Sequence, residues 1–281
     1  MKPEASLIIS FYNNIQLLTL IFAALERQTC SAFEVIIADD GSKPEVVQQL
    51  KRLTQTKAFP VKHCWHPDEG WRKNTILNKA IQASQCDYLV FIDGDCIPHP
   101  RFIEEHLAHR KEGVVLTGRR VQLTPSMSSN LTEAAVITGQ FERLLALRLF
   151  VASLFHKSLQ PENALRIRSP RLRKLLIKDK EKGILGCNFS AFKADILLVN
   201  GFDERFQHPG VGEDTDLNSR LVRAGIKTLS KKHLLTVYHI YHKRFDLNYP
   251  PNFALWEENN TNHVTFTPFG INKPCAQTRN K

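Results

Sequence analysis

Short, unbroken apolar runs that end in polar turn chemistry constrain this chain more than any other feature. Residues 5–10 (ASLIIS), 34–38 (EVIIA) and 88–92 (YLVFI) are such runs, and a weaker one covers 61–65. Runs of this length without polar alternation are how strands covered on both faces read. Between them lie helix-length patterns. Residues 14–28 put Leu17, Leu18, Ile21, Phe22 and Leu25 on one face, and further helices are expected over 45–53 and 73–83. Strand and helix in strict alternation predict an α/β fold, a doubly wound and mostly parallel sheet.

The second half is less regular. Residues 131–155 read as one long helix, and a basic stretch with Pro170 as a break fills 166–182. Residues 184–192 return to the core. A helix over 214–224 is ended by Gly225, a strand follows at 234–240, and the chain beyond Pro268 reads as a loose terminus.

Composition narrows the class. With 42% hydrophobic and 23% charged residues, the chain is neither disordered nor fibrous. The first apolar run is too short for a signal sequence. The longest ones, 17–25 and 144–155, fall short of the ~20 residues a membrane span needs. These features, with six cysteines and no CxxC pair, predict a cytoplasmic protein with free thiols. The net charge of +10 is concentrated: 141–182 holds eleven Lys and Arg against four Asp and Glu. That is either a solvated helical surface or a contact with something anionic, such as a membrane face or a charged acceptor.

In open α/β sheets, ligands bind beyond the carboxyl ends of the strands. Asp39 and Asp40 follow the second apolar run there; Asp93 and Asp95 follow the one at 88–92. Alone, each pair is also what a polar turn looks like. Together they point to a nucleotide site with a hard divalent cation, Mn²⁺ or Mg²⁺, held by one or two carboxylates and phosphate oxygens.

Residues 6–13 (SLIISFYN), Gln28-Thr29 and 33–42 (FEVIIADDGS) resemble the opening of family 2 inverting glycosyltransferases with the GT-A fold. Glu69-Gly70, Arg72-Lys73-Asn74 and Asn78 are similar to the polar segment before that family's metal motif, and Asp93-Gly94-Asp95 to its DxD. Residues 186–190 (GCNFS), 201–206 (GFDERF) and 212–217 (GEDTDL) resemble the carboxyl-terminal part of galactosyltransferase-like and chondroitin-polymerase-like members. The likeness runs from about 6 to 242, and only the insert at 123–182 has no counterpart. It implies one GT-A domain, with a nucleotide-sugar half at 1–122, the helical basic insert, an acceptor-binding and catalytic half at 183–267, and a tail at 268–281.

The resemblance also implies roles. Tyr12 would lie against a uracil ring and Asp40 at its edge, with Ser10 and Asp39 close by, although Tyr12 also suits a core aromatic. Arg72 would approach the diphosphate, or stand solvated. Asp93 would reach the ribose or the metal. Asp95 and His239 would ligate the metal, with His242 as the alternate. Asp214 would be the base that inverting transfer requires, and Glu213 would hold acceptor hydroxyls, although acidic residues also suit a helix start. Asp216 has no role. His106 and His109 share a helical face and read as surface; Cys96 reads as buried packing. The implied activity is hexosyl transfer from a UDP-sugar to a glycan or glycolipid hydroxyl in cell-surface polysaccharide or lipopolysaccharide synthesis.

Two other readings are weaker. A sugar-nucleotide nucleotidyltransferase would carry a Gly-rich basic loop after the first strand, and residues 10–14 have neither. A nucleic-acid binder would interleave aromatics with its basic residues, and 166–182 contains no aromatic.

Overall fold

The computed structural model describes residues 2–155, 160–167, 169, 171–172, 175, 183–243 and 249–273. In chain order the first part is β1 (Ala5–Phe11), α1 (Ile15–Leu25), β2 (Phe33–Asp39), α2 (Pro44–Thr54), β3 (Val61–Trp65), α3 (Lys73–Ala83), β4 (Tyr88–Asp93), β5 (Cys96–Pro98), α4 (Phe102–His109), β6 (Val114–Thr117) and β7 (Arg119–Gln122). Next come α5 (Pro125–Ser129), α6 (Glu133–Thr138), α7 (Leu145–Ser153), β8 (Asn188–Phe192), α8 (Lys193–Leu198), α9 (Asp214–Arg223), β9 (Lys227–Ser230), β10 (Thr236–His239) and α10 (Pro250–Thr261).

The main sheet runs β3-β2-β1-β4-β8-β6-β9, parallel except where β8 meets β4 and β6. Alternate residues of each strand face opposite layers. Leu7, Ile9, Val35 and Ile37 pack with α1 residues Leu18, Ile21 and Phe22. Ile8 and Ile36 pack with Ile76, Leu77 and Ile81 of α3 and Leu217 and Leu221 of α9. This two-sided burial is why the strands read as unbroken apolar runs. A small second sheet, β5-β10-β7, takes strands from both halves of the sequence.

The expected helix at 131–155 is several pieces. α6 ends at Gly139, which has φ +69°, a 3₁₀ turn spans Gln140–Glu142, and Leu144 at φ +56° precedes α7. Arg27 of the first half holds the turn through Glu142 at 3.1 Å. The terminus beyond Pro268 is not loose as far as it is described: Ile271 N and Asn272 N donate to Asn200 O and Oδ1 at 3.0 and 2.7 Å. Most of 166–182 lies outside the described residues. His106, read as surface, is fully buried; its Nδ1 meets Ser190 Oγ at 2.6 Å, and burial pushes its pKa down to about 3. His109, one helical turn on, is partly exposed. The cysteines among the described residues are all free.

Candidate active site

The sheet changes direction of winding at β1 and β4: β2 and β3 lie on one side of β1, β4 on the other. A doubly wound sheet opens its binding crevice there. Register puts Ser10 beside Asp93, and Ser10 Oγ donates to Asp93 Oδ1 at 2.8 Å. Gly94 follows because a Cβ there would stand 2.6 Å from the Ser10 carbonyl oxygen.

β10 pairs antiparallel with β5, with His239 opposite Cys96, and Ile240 N donates to the Asp95 carbonyl at 3.0 Å. This register carries His239 and His242 to Asp95. Asp95 Oδ2 lies 3.4 Å from His239 Nε2 and 3.0 Å from His242 Nε2, and the three ligand atoms fall within 4.8 Å of one another. His242 Nδ1 faces the Lys243 carbonyl at 3.0 Å; a proton on Nδ1 leaves the Nε2 lone pair for a metal. Burial disfavours the Asp95 carboxylate, but its hydrogen bonds to the two histidines outweigh that and hold its pKa well below the ordinary value. One carboxylate and two imidazoles fit a divalent transition ion with positions left for phosphate oxygens. Both histidines belong to the cluster; Asp93 does not.

Asp93 is instead joined to Lys73, the first residue of α3. Lys73 Nζ stands 2.6 Å from Asp93 Oδ1 and 2.8 Å from Glu213 Oε1. Burial works against the lysine charge, but the two carboxylates keep its pKa well above normal. For Glu213 burial is the largest effect. The nearby Asp93 and Asp214 charges add to it, and the pKa rises to about 7 despite Lys73. Sequence reading gave Lys73 no role; its place at the start of the helix after β3 was the available signal.

Glu213 stands at the N-terminal boundary of α9 without a side-chain capping bond, and Asp214 begins the helix. Asp214 Oδ2 accepts from Gly186 N at 2.9 Å and Oδ1 from the Thr215 hydroxyl at 3.2 Å. The loop before them needs glycine at 212: φ is +126°, and a Cβ would lie 1.9 Å from the buried Phe206 ring. Asn252 of α10 donates to the His208 and Val211 carbonyls at 2.9 and 2.8 Å, tying down that loop. At its rim the His208 and Tyr249 rings stack at 4.1 Å. Asp216 is structural: fully buried, it pairs with Arg220 at 2.7 Å and accepts from Asn259 at 2.9 Å.

On the other side of β1, Tyr12 is 52% exposed rather than in the core, and its hydroxyl donates to Asp68 Oδ2 at 2.8 Å. Asp40 accepts from Arg72 N at 2.9 Å and meets His66 Nε2 at 2.7 Å; burial raises its pKa against those two bonds. Arg72's guanidinium pairs with Glu69. Asp39 is fully buried, with Ser42 N on one oxygen and His63 Nε2 on the other, each at 2.8 Å, so it shapes the turn and does not face the cleft. Cys96 is fully buried, its Sγ 3.3 Å from Asp95 Oδ1, and burial pushes its thiol pKa well up, which removes it as a nucleophile.

Comparison with known proteins covers most of the chain. Residues 6–157, more than half of it, match Glycosyl transferase family 2, and residues 166–243 match a family described as the N-terminal domain of galactosyltransferase. Chondroitin synthase of Escherichia coli is 26% identical over 229 residues, covering 78% of this chain and 32% of that protein. The chain thus spans about a third of the length of that curated relative. Among solved structures, GalNAc-T7 with UDP, GalNAc and Mn²⁺ superposes with a TM-score of 0.62 at 16% identity, over 92% of this chain and 48% of that one. S. aureus TarS 1-349 in complex with UDP-GlcNAc gives 0.56 at 14% identity, over 90% and 64%. These likenesses confirm the α/β fold as one shared with glycosyltransferases.

Proposed function

The chain belongs to glycosyl transferase family 2, and from that premise we propose a metal-dependent inverting glycosyltransferase that moves a sugar from a UDP-sugar to a hydroxyl of a glycan or glycolipid, in the making of a cell-surface polysaccharide or lipopolysaccharide. The observation that carries this is the Asp95–His239–His242 cluster at the crevice of the sheet, with Lys73, Glu213 and Asp214 beside it. The UDP, UDP-GlcNAc and Mn²⁺ of the superposed structures support the donor class and the ion. Two imidazoles in the set favour Mn²⁺ over Mg²⁺, which prefers oxygen.

Asp95, His239 and His242 would hold the ion, which when bound offsets the negative charge that builds on the departing diphosphate. Tyr12 stacks on the uracil, Asp40 accepts from the base edge through the acceptor capacity left beyond its bonds to His66 and Arg72 N, and Asp39 holds the turn that presents Asp40. Ser10 and Asp93 face the ribose, and Arg72 reaches toward the diphosphate. Lys73 bridges Asp93 and Glu213 and offsets their repulsion, a fixed cation between the donor and acceptor sides. Glu213 takes acceptor hydroxyls while His208 and Tyr249 supply a flat face for a sugar ring.

Asp214 accepts the proton of the attacking hydroxyl. The new C–O bond forms on the face of the anomeric carbon opposite the diphosphate as the C1–O bond to phosphate breaks, and configuration inverts. Asp214→Asn should keep Mn²⁺-dependent UDP binding and lose about 10²–10⁴ in kcat. Steady-state transfer beside calorimetric titration checks this; a fall below about threefold moves the base elsewhere. A panel of sugar nucleotides with and without Mn²⁺ then reads the donor. The reading has the enzyme at work in the cytoplasm.

A further inference from the structure

α7 is apolar on two faces. Leu145 and Leu149 turn inward and are buried, while Leu147, Phe150, Val151 and Leu154 are each at least half exposed. At 100° per residue the outward four fall within about 100° of the helix circumference, a stripe rather than a scatter. Leu144 and Phe155 extend it at either end with 72% and 80% exposure. Isolated exposed apolar residues need no explanation; six in one stripe do.

The surroundings of the stripe are cationic. Arg143 and Arg148 are exposed within or beside it, and Arg171 is exposed beyond it. The segment 141–182 that contains them carries eleven of the chain's cations against four anions. A second copy of the chain would bring the same charges against themselves. An anionic lipid surface takes the apolar stripe into its acyl boundary and the arginines at its headgroups, the composition of an interfacial helix.

The stripe is also coupled to the site. α7 packs on the 3₁₀ turn Pro161–Ala164. Asn163 of that turn donates to the Arg120 carbonyl of β7 at 3.2 Å, and β7 pairs with β10 with Gln122 opposite His239. Among the described residues no helix is long and apolar enough to cross a membrane.

We propose that the outer face of α7 docks the enzyme on an anionic phospholipid bilayer and so brings the metal-bearing edge of the site to lipid-anchored acceptors. The delivery of acceptors rests on the transferase reading, but docking itself is read without donor or acceptor, so the failure of either is told apart from the failure of the other. The test is co-sedimentation of the full chain with phosphatidylcholine vesicles, with and without phosphatidylglycerol, at low and high salt. Wild type should pellet with the anionic vesicles only and be released by salt. Leu147→Glu with Phe150→Glu, and separately Arg143→Glu with Arg148→Glu, should each weaken partitioning on the order of tenfold or more. Thermal melting should be unchanged, because all four side chains face solvent. Equal recovery of wild type in the supernatant with both vesicle types overturns the proposal. So does a dimer in light scattering that Leu147→Glu with Phe150→Glu splits without changing vesicle binding.

Discussion

Two acidic turns flank the end of β1, residues 39–42 after β2 and 93–95 after β4, and they finish in opposite conditions. In the first, both Asp39 oxygens are taken by Ser42 N and His63, and Asp40 is taken by His66 and Arg72 N. In the second, Asp93 and Asp95 keep side-chain exposures of 29% and 22% and face a lysine and two histidines. Burial raises the pKa of Asp40, while that of Asp95, also opposed by burial, is pulled down by its histidines. The same residue type at the same place in the fold therefore serves two ends. An imidazole faces a carboxylate in both turns; what differs is that a backbone N–H closes the other oxygen of Asp39 and of Asp40, whereas Asp95 sets two imidazoles against one oxygen.

The contrast breaks most visibly on Asp95. Asp95→Asn should abolish Mn²⁺-dependent UDP binding, a loss of at least about 100-fold, with melting unchanged. Calorimetric titration of UDP with Mn²⁺ reads it, and wild-type affinity in the variant would make the second turn as closed as the first. Asp39→Asn should do the reverse. It costs about 1–3 kcal/mol of stability through a mismatched buried donor and leaves the Mn²⁺ dependence of UDP binding alone; urea unfolding beside the same titration separates the two effects. The smallest effect sharpens the picture around Asp93. The Glu213 pKa is raised in the folded state to about 7 from 4.5, so the folded protein holds the extra proton between those values. Its stabilising contribution is full below pH 4.5 and is lost as pH rises through 7. Between pH 5 and 6 the chain should lose about 1 kcal/mol that Glu213→Gln does not lose. Parallel slopes for the two proteins would mean that Lys73 already neutralises the acidic group.

Local pattern carried the first half. β3 and α3 fall on the expected residues and the other early elements within a few; for β1, β2 and β4 the reason is that both faces are covered and burial writes itself as an unbroken apolar run, while β3 at the sheet edge is only partly buried. The strands β5, β6, β7 and β9 run only three or four residues and carry no period of their own; β10 is as short but was legible through the longer apolar run at 234–240 around it. The helix expected at 131–155 failed for a different reason. Its apolar residues serve two surfaces, inward and outward, and the left-handed residues at 139 and 144 break what hydrophobicity alone joins.

By itself the sequence determined the alternating sheet, the acidic strand ends and the Glu213-Asp214 helix start. Each of these is written locally, in a run, a turn or a motif. Tertiary structure alone decided which aspartate is closed and which is open, because their partners come from β3, α3 and β10. It alone set Lys73 between Asp93 and Glu213. It alone made α10 part of the fold: that helix buries Asn252 and Asn259 and leaves Phe253 exposed, so its inward face is polar. The groups those asparagines satisfy are the His208 and Val211 carbonyls and the Asp216 carboxylate. Hydrophobic periodicity cannot find such a face, since what holds it is a set of hydrogen bonds to groups that the folded chain alone brings within reach.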